Sequence, residues 1–246
     1  MKRRALIIYC DDTSSGELTG PPFDNDHYRS FLTNNLGGRW DDKEILSLRN
    51  PKTALITKAV REFMVGADYT FTIFTGHGFL NTDENSRQYL EVADGDVSIS
   101  SLRTTAKRQT IIIDACRGFH SPSRAILKGF SEVFEHLMGD PYSTRNIFDK
   151  AVMRAEEGLT VLYAASRNQT ALDTDNGAAY LLSLLHIAEK WEKVDKRTNI
   201  IDLKVTHGYA KKYLSENFDT IQIPTMNKEK RINYFPFAVK VTSINS

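Results

Sequence analysis

Cysteine is nearly missing from this chain: 246 residues contain only Cys10 and Cys116. Two thiols cannot build a disulfide framework or a cysteine-based metal site, so the composition fits a reducing, cytoplasmic setting. An excess of one charge is missing as well. The 32 basic and 31 acidic residues leave a formal net charge of +1, which gives no reason to expect a nucleic acid partner. No apolar run approaches the length of a membrane span, so no membrane partner is expected. ALIIYC at 5–10, behind Met1-Lys2-Arg3-Arg4, is too short for a signal-peptide core and runs into Asp11 and Asp12. There is no GxSxG, no P-loop and no GxGxxG, which removes support for serine-hydrolase and nucleotide-binding readings. Internal repeats and low-complexity stretches are absent too.

What remains is ordinary globular composition, 41% hydrophobic and 26% charged, and residues 1–246 suit a single domain with one substantial core. Apolar runs at 5–10, 44–48, 69–78, 107–118, 160–166 and 232–241 read as strands. Between them lie helical patterns. One follows Asp24 or Asn25, either of which can cap it, with Tyr28, Phe31, Leu32 and Leu36 on its inner side and Gly37-Gly38 as its stop. A second starts near Thr53, with Leu55, Ile56, Val60, Phe63 and Met64 facing inward. Further helices are predicted around Phe130, Val133, Phe134 and Leu137, and at 147–157, 177–193 and 200–216. Strands alternating with helices predict an α/β fold, a mainly parallel sheet of about six strands covered on both faces. In such sheets ligands bind beyond the carboxyl ends of the strands.

Two chemistry-bearing residues sit at such ends. His77 closes YTFTIFTGHG and Cys116 closes KRQTIIIDACRG, 39 residues apart, a distance that fits one crossover in a parallel sheet. A thiol of ordinary pKa needs a neighbouring base to become a good nucleophile, and a histidine within hydrogen-bond reach supplies one. Gly76 and Gly78 beside His77, and Gly118 after Cys116, would allow sharp turns whose backbone N–H groups can stabilise an oxyanion. Read singly, a buried Cys is packing and a loop His is inert; the two motifs together favour a catalytic pair.

TGHG followed by DACRG resembles the catalytic pair of the caspase-like peptidases, whose caspase signature is Q-A-C-[RQG]-G with a histidine upstream. Asp114 replaces the Gln of that signature. The stretch ALIIYCDDTSSGELTGPPFDND resembles the opening segment of the metacaspases, and YAASRNQTA with GAAYLLSLL resembles their late strand and helix. The resemblance implies a three-layer α/β/α sandwich and a cysteine endopeptidase. It makes His77 the base, Cys116 the nucleophile, and the N–H groups of Gly78 and Cys116 the oxyanion hole. It divides the chain into a large-subunit-like part (1–118), a connecting helical segment (119–157) and a small-subunit-like part (158–246). A role in regulated cell death or antiphage defence is suggested by the resemblance alone.

Asp114 stands where caspases use Gln, with arginines, to bind a substrate aspartate. A carboxylate there would repel an acidic side chain and attract Arg or Lys, so the expected partner is a protein or peptide with a basic residue before the scissile bond. Aligning Leu18-Thr19-Gly20 with the metacaspase opening puts Asp24 in a second pocket position, where it reads equally as a helix N-cap. Thr75 matches a small hydroxyl residue of the same pocket, or is simply a strand residue. Asp114 itself could be a structural carboxylate held by a backbone partner. Asp83, Glu84, Glu91, Asp94 and Asp96 make an acidic loop that matches no calcium site and reads as a solvated face, so neither calcium nor another cofactor is expected. His120 has no ligand cluster, and Cys10 reads as core. Arg124, Lys128, Arg145, Lys150 and Arg154 offer self-cleavage sites, but the amphipathic pattern around 130–137 favours activity as an intact chain. The competing reading is a silent caspase-like scaffold, disfavoured because Cys, His and their glycines are all present.

Overall fold

A computed structural model describes residues 1–81, 87–118, 141–227 and 232–241. His120, Arg124, Lys128, the helix expected at 130–137, and Asp83 and Glu84 lie outside the described residues. The elements run β1 (Arg3–Tyr9), β2 (Asp12–Thr13), β3 (Gly16–Glu17), α1 (Gly20–Thr33), β4 (Ile45–Arg49), α2 (Thr53–Lys58) and β5 (Tyr69–Thr75). A meander follows, β6 (Gly78–Asn81), β7 (Arg87–Val92) and β8 (Gly95–Ser98), then β9 (Arg108–Asp114) and α3 (Pro141–Arg154). The remainder is β10 (Gly158–Tyr163), β11 (Asp173–Thr174), β12 (Gly177–Ala178), α4 (Ala179–Val194), β13 (Ile200–Asp202), α5 (Leu203–Asn217), β14 (Thr225–Asn227) and β15 (Pro236–Val239).

The central sheet has six strands in the order β14-β10-β9-β5-β1-β4, all parallel except β14, which runs antiparallel to β10. Its inner strands are aromatic and β-branched and are buried on both faces, as parallel strands must be. Alternation sorts their side chains into two cores. Ala5, Ile7, Phe71, Ile73, Ile112 and Leu162 pack with residues of α1, α3, α4 and α5. Leu6, Ile8, Phe74, Ile111 and Ile113 pack on the opposite face with Ile56 of α2 and with Leu90 and Val97 of the meander. No helix among the described residues is long and apolar enough to cross a membrane.

Four expectations need correction. The sixth strand of the sheet is β14; the run at 232–241 supplies β15, which pairs with β13 in a separate two-stranded sheet. Helix α1 starts at Gly20, four residues before Asp24, because Pro21 and Pro22 occupy first-turn positions where no N–H is needed. Asp24 is therefore inside the helix and caps nothing. Leu55 is 45% exposed, while Ile56, Val60, Phe63 and Met64 of the expected inward face pack against the core, across a π-turn over Ala59–Phe63. Within the acidic stretch Glu91 is buried, for a reason given below.

At the base of the sheet Arg3 is fully buried and bonds Glu44, Asp149 and the carbonyls of Gly38 and Arg39 while lying 4.5 Å from the Trp40 ring. Arg145 of α3 grips the other side of Glu44 through two bonds of 2.7 and 3.0 Å. A buried charge is tolerable only when its donors are satisfied in this way.

Candidate active site

Parity carries the core-face argument to the carboxyl end of the sheet. Thr75 follows Phe71 and Ile73 by twos along β5, and Asp114 follows Ile112 on β9, so both point to the α1 side. The strands' register pairs Thr75 with Asp114 directly. Two residues farther on each chain come His77 and Cys116. All four line one groove, together with Leu18, Gly76, Pro21, Ala171, Asp173 and Ala178. Cys10 has the opposite parity and sits in the other core. Burial and nearby Asp11 push its thiol up to about 12, which makes it inert.

His77 is 5% exposed. The Gly16 carbonyl lies beside the ring as a hydrogen-bond acceptor, and the buried Nε2 makes no geometrically complete hydrogen bond among the described residues. A carbonyl can only accept, so the ring nitrogen that faces it carries the proton and the other presents its lone pair, as a general base needs. Burial lowers the His77 pKa and Glu91 opposes that shift. Cys116 is half-buried, its Sγ 3.9 Å from the Ala171 carbonyl oxygen, and burial raises its thiol pKa. Both shifts favour the neutral thiol and imidazole.

The backbone around the pair is laid out by its neighbours. Glu91 N–H donates to the His77 carbonyl at 3.0 Å, which makes His77 and Glu91 a hydrogen-bonded antiparallel pair. The next pair, Gly78 and Leu90, is then non-hydrogen-bonded, so the Gly78 N–H points away from β7. No backbone carbonyl among the described residues takes the Cys116 N–H. Gly76 has a positive φ of 149°, as the expected turn demands, and a Cβ there would meet the Cys10 carbonyl oxygen at 2.9 Å. Gly118 lies in a bend, where its φ is not positive and a Cβ would have room, so its backbone does not require glycine. Arg117 locks the strand end instead, with Nε on Gln88 and Nη1 on Ala165 and Thr225, while Gln88 returns a bond to the Cys116 carbonyl.

Asp114 and Asp173 line the groove, whereas Asp24 does not line it and is joined to it through Thr75 and Ala178. Asp24 and Asp114 are buried at 1% and 3% exposure. Asp24 accepts from Thr75 Oγ1 at 2.6 Å and from Ala178 N–H at 2.9 Å. Asp114 takes the Leu181 N–H, and its Oδ2 has no partner among the described residues. The two backbone donors belong to the N-cap and first turn of α4, whose dipole favours negative charge. Burial pushes Asp24 up to about 8 and Asp114 well above the carboxylate range; Asp173 raises both further, and Asp24 also raises Asp114. Sequence reasoning did not single out Asp173, which lies on a two-residue strand without periodicity. Its signal was an acidic side chain between YAASRNQTA and GAAYLLSLL. Its Oδ2 accepts from Gly20 N–H at 3.2 Å. Despite these acids, no three His, Cys, Asp or Glu groups among the described residues are arranged to hold a metal ion.

Comparison with known proteins agrees with this arrangement. No curated protein matches the sequence. Among solved structures, the crystal structure of caspase-1 from Spodoptera frugiperda matches with a TM-score of 0.59 at 13% identity, covering 92% of this chain and 88% of that one. That likeness speaks for the fold. The caspase-domain family model matches residues 2–235, nearly the whole sequence and every strand of the central sheet, and this chain therefore belongs to the caspase family of cysteine peptidases.

Proposed function

We propose that the protein is an endopeptidase that cleaves polypeptides after Arg, and more slowly after Lys, with Cys116 as nucleophile and His77 as general base. One observation supports the reading above others. The groove joins a His77 ring whose Nε2 has no partner among the described residues to Cys116 and to an Asp114 oxygen that likewise has none. The unprotonated ring nitrogen of His77 takes the Sγ proton as sulfur attacks the substrate carbonyl, because a thiol raised and an imidazole lowered by burial hold no preformed ion pair. The tetrahedral oxyanion would accept from the N–H groups of Gly78 and Cys116. His77 then protonates the leaving amine, giving a thioester acyl-enzyme. A water deprotonated by His77 attacks that thioester and releases the new carboxyl end and the free thiol.

The substrate side chain before the scissile bond would enter beside Asp114, Asp24 and Asp173. A guanidinium meets one carboxylate through two parallel hydrogen bonds and an ammonium meets it as a point charge, which orders Arg before Lys. An aspartate would add a further carboxylate to a dry acidic pocket. The acidic pair also favours a metacaspase-like enzyme over one that cuts after Asp. Matched fluorogenic peptides differing only in Arg, Lys or Asp test this, with Cys116→Ala as control. The expected order is Arg, then Lys, with Asp slower by about a thousandfold or more in kcat/KM. Faster cleavage after Asp than after Arg would sink the pocket argument.

A further inference from the structure

The carbonyl that holds His77 belongs to a hairpin too small to order itself. β2 and β3 contribute two residues each, are largely exposed, and are closed at the base by the Leu18 N–H to Asp11 carbonyl bond of 2.8 Å. Two-stranded ribbons of this size are marginal in water. The turn is fastened from β7 instead. The Glu91 side chain, 5% exposed, accepts from Ser15 Oγ at 2.6 Å on one oxygen, and from Thr13 Oγ1 at 3.0 Å and Ser14 Oγ at 3.4 Å on the other. Three hydroxyl donors from consecutive residues suit an ionised carboxylate, which only accepts and offers about four lone-pair sites.

Glu91 also reaches His77 by its main chain, through the 3.0 Å bond to the His77 carbonyl. One residue therefore holds both parts whose spacing sets the bond between Gly16 and the ring. We propose that Glu91 is a positioning residue for the base, its carboxylate clamping the 13–15 turn so that the Gly16 carbonyl keeps the His77 ring in one tautomer and one orientation beside the groove. Glu91 does not line that groove, so it acts through His77 and leaves substrate binding alone.

The proposal rests on His77 as the base, and the test separates the two ideas. Glu91→Ala, Glu91→Gln, Ser15→Ala and His77→Ala are made in the full chain and assayed on an Arg peptide. The histidine ring proton is followed by NMR in 15N-histidine-labelled protein without substrate. Glu91→Ala is expected to lower kcat about tenfold to a hundredfold, with KM changed by less than about twofold. It should also remove the hydrogen-bonded ring N–H resonance of His77. Glu91→Gln should recover part of both. Ser15→Ala should lose less, in the same direction, and add nothing when combined with Glu91→Ala. If Glu91→Ala does not fold, Ser15→Ala with Thr13→Val carries the same test with Glu91 in place. Normal kcat and a retained ring N–H resonance of His77 in these variants would overturn the clamp, as would strictly additive losses. Cleavage retained in His77→Ala would instead remove the base assignment, while the ring-proton measurement would still read the clamp.

Discussion

Thr75 and Asp114 are register partners across β5 and β9, yet the Thr75 hydroxyl donates to Asp24, at 2.6 Å, and leaves Oδ2 of Asp114 without a partner among the described residues. The hydroxyl thus favours the ionised form of one acid, and the other acid keeps an acceptor for substrate. Thr75→Val keeps the shape and deletes the donor. A buried acceptor left unpaired costs about 1–3 kcal/mol, so a lower Tm is expected together with about a tenfold loss of kcat/KM on Arg peptides. Unchanged kinetics on Arg peptides would reduce Thr75 to a strand residue.

The pocket acids should couple substrate binding to protons. Asp24 is raised from 3.8 to about 8 by burial, with Asp173 adding to the shift and Thr75 and the Ala178 N–H opposing it. Between those values the folded chain holds a proton that the unfolded chain releases, so rising pH favours unfolding. Asp24→Asn removes that dependence: its Tm advantage over the wild type is expected to grow from pH 4 to pH 8. The same variant should bind Arg peptides poorly. In the wild type, KM for an Arg peptide should fall as pH rises toward 8. A pH-independent KM over that range would contradict the coupling.

A separate limb belongs to His77. Burial holds its pKa below the ordinary 6.5, and the base works only when neutral. kcat should therefore stay level on acidification past 6.5 and fall only below it. A kcat limb above 6.5 would mean that another group controls the step.

Asp173 offers a graded test of the acidic floor. It is less buried than Asp24 and Asp114 and already accepts the Gly20 N–H. Asp173→Asn should cost Arg peptides about tenfold in kcat/KM, against about a hundredfold or more for Asp114→Asn, since charge is worth more where water is excluded. Equal losses would place the two acids at the same distance from the substrate charge.

Self-cleavage, if it occurs, should spare α3. Arg145 is held by Glu44 and Asp41, and Lys150 and Arg154 lie on the same ordered helix. Mass spectrometry of active enzyme should find no cut after any of the three.

Much of the sheet was legible because β1, β5, β9 and β10 are buried on both faces, which makes each a short apolar run. His77 and Cys116 were legible because each closes one of those runs. β14 escaped because three partly exposed residues, Thr225, Met226 and Asn227, carry no period, and its place in the sheet comes from pairing with β10. The burial of Glu91 escaped for a different reason. Only the fold brings Thr13, Ser14 and Ser15 against β7, and without them a Glu among aspartates reads as surface. Asp24 was misread as a possible cap because hydrogen bonds from Thr75 and Ala178, far away in sequence, decide its role.

The Arg3 cluster has a bearing on any nick made between the described ends at residues 118 and 141. Met1, Arg3 and Glu44 lie on one side of such a cut, Arg145 and Asp149 on the other, and β9 pairs with β10 across it. The two pieces would share one sheet and one buried charge cluster. Cutting would change the chain count in a denaturing gel and leave the particle mass in solution as it was.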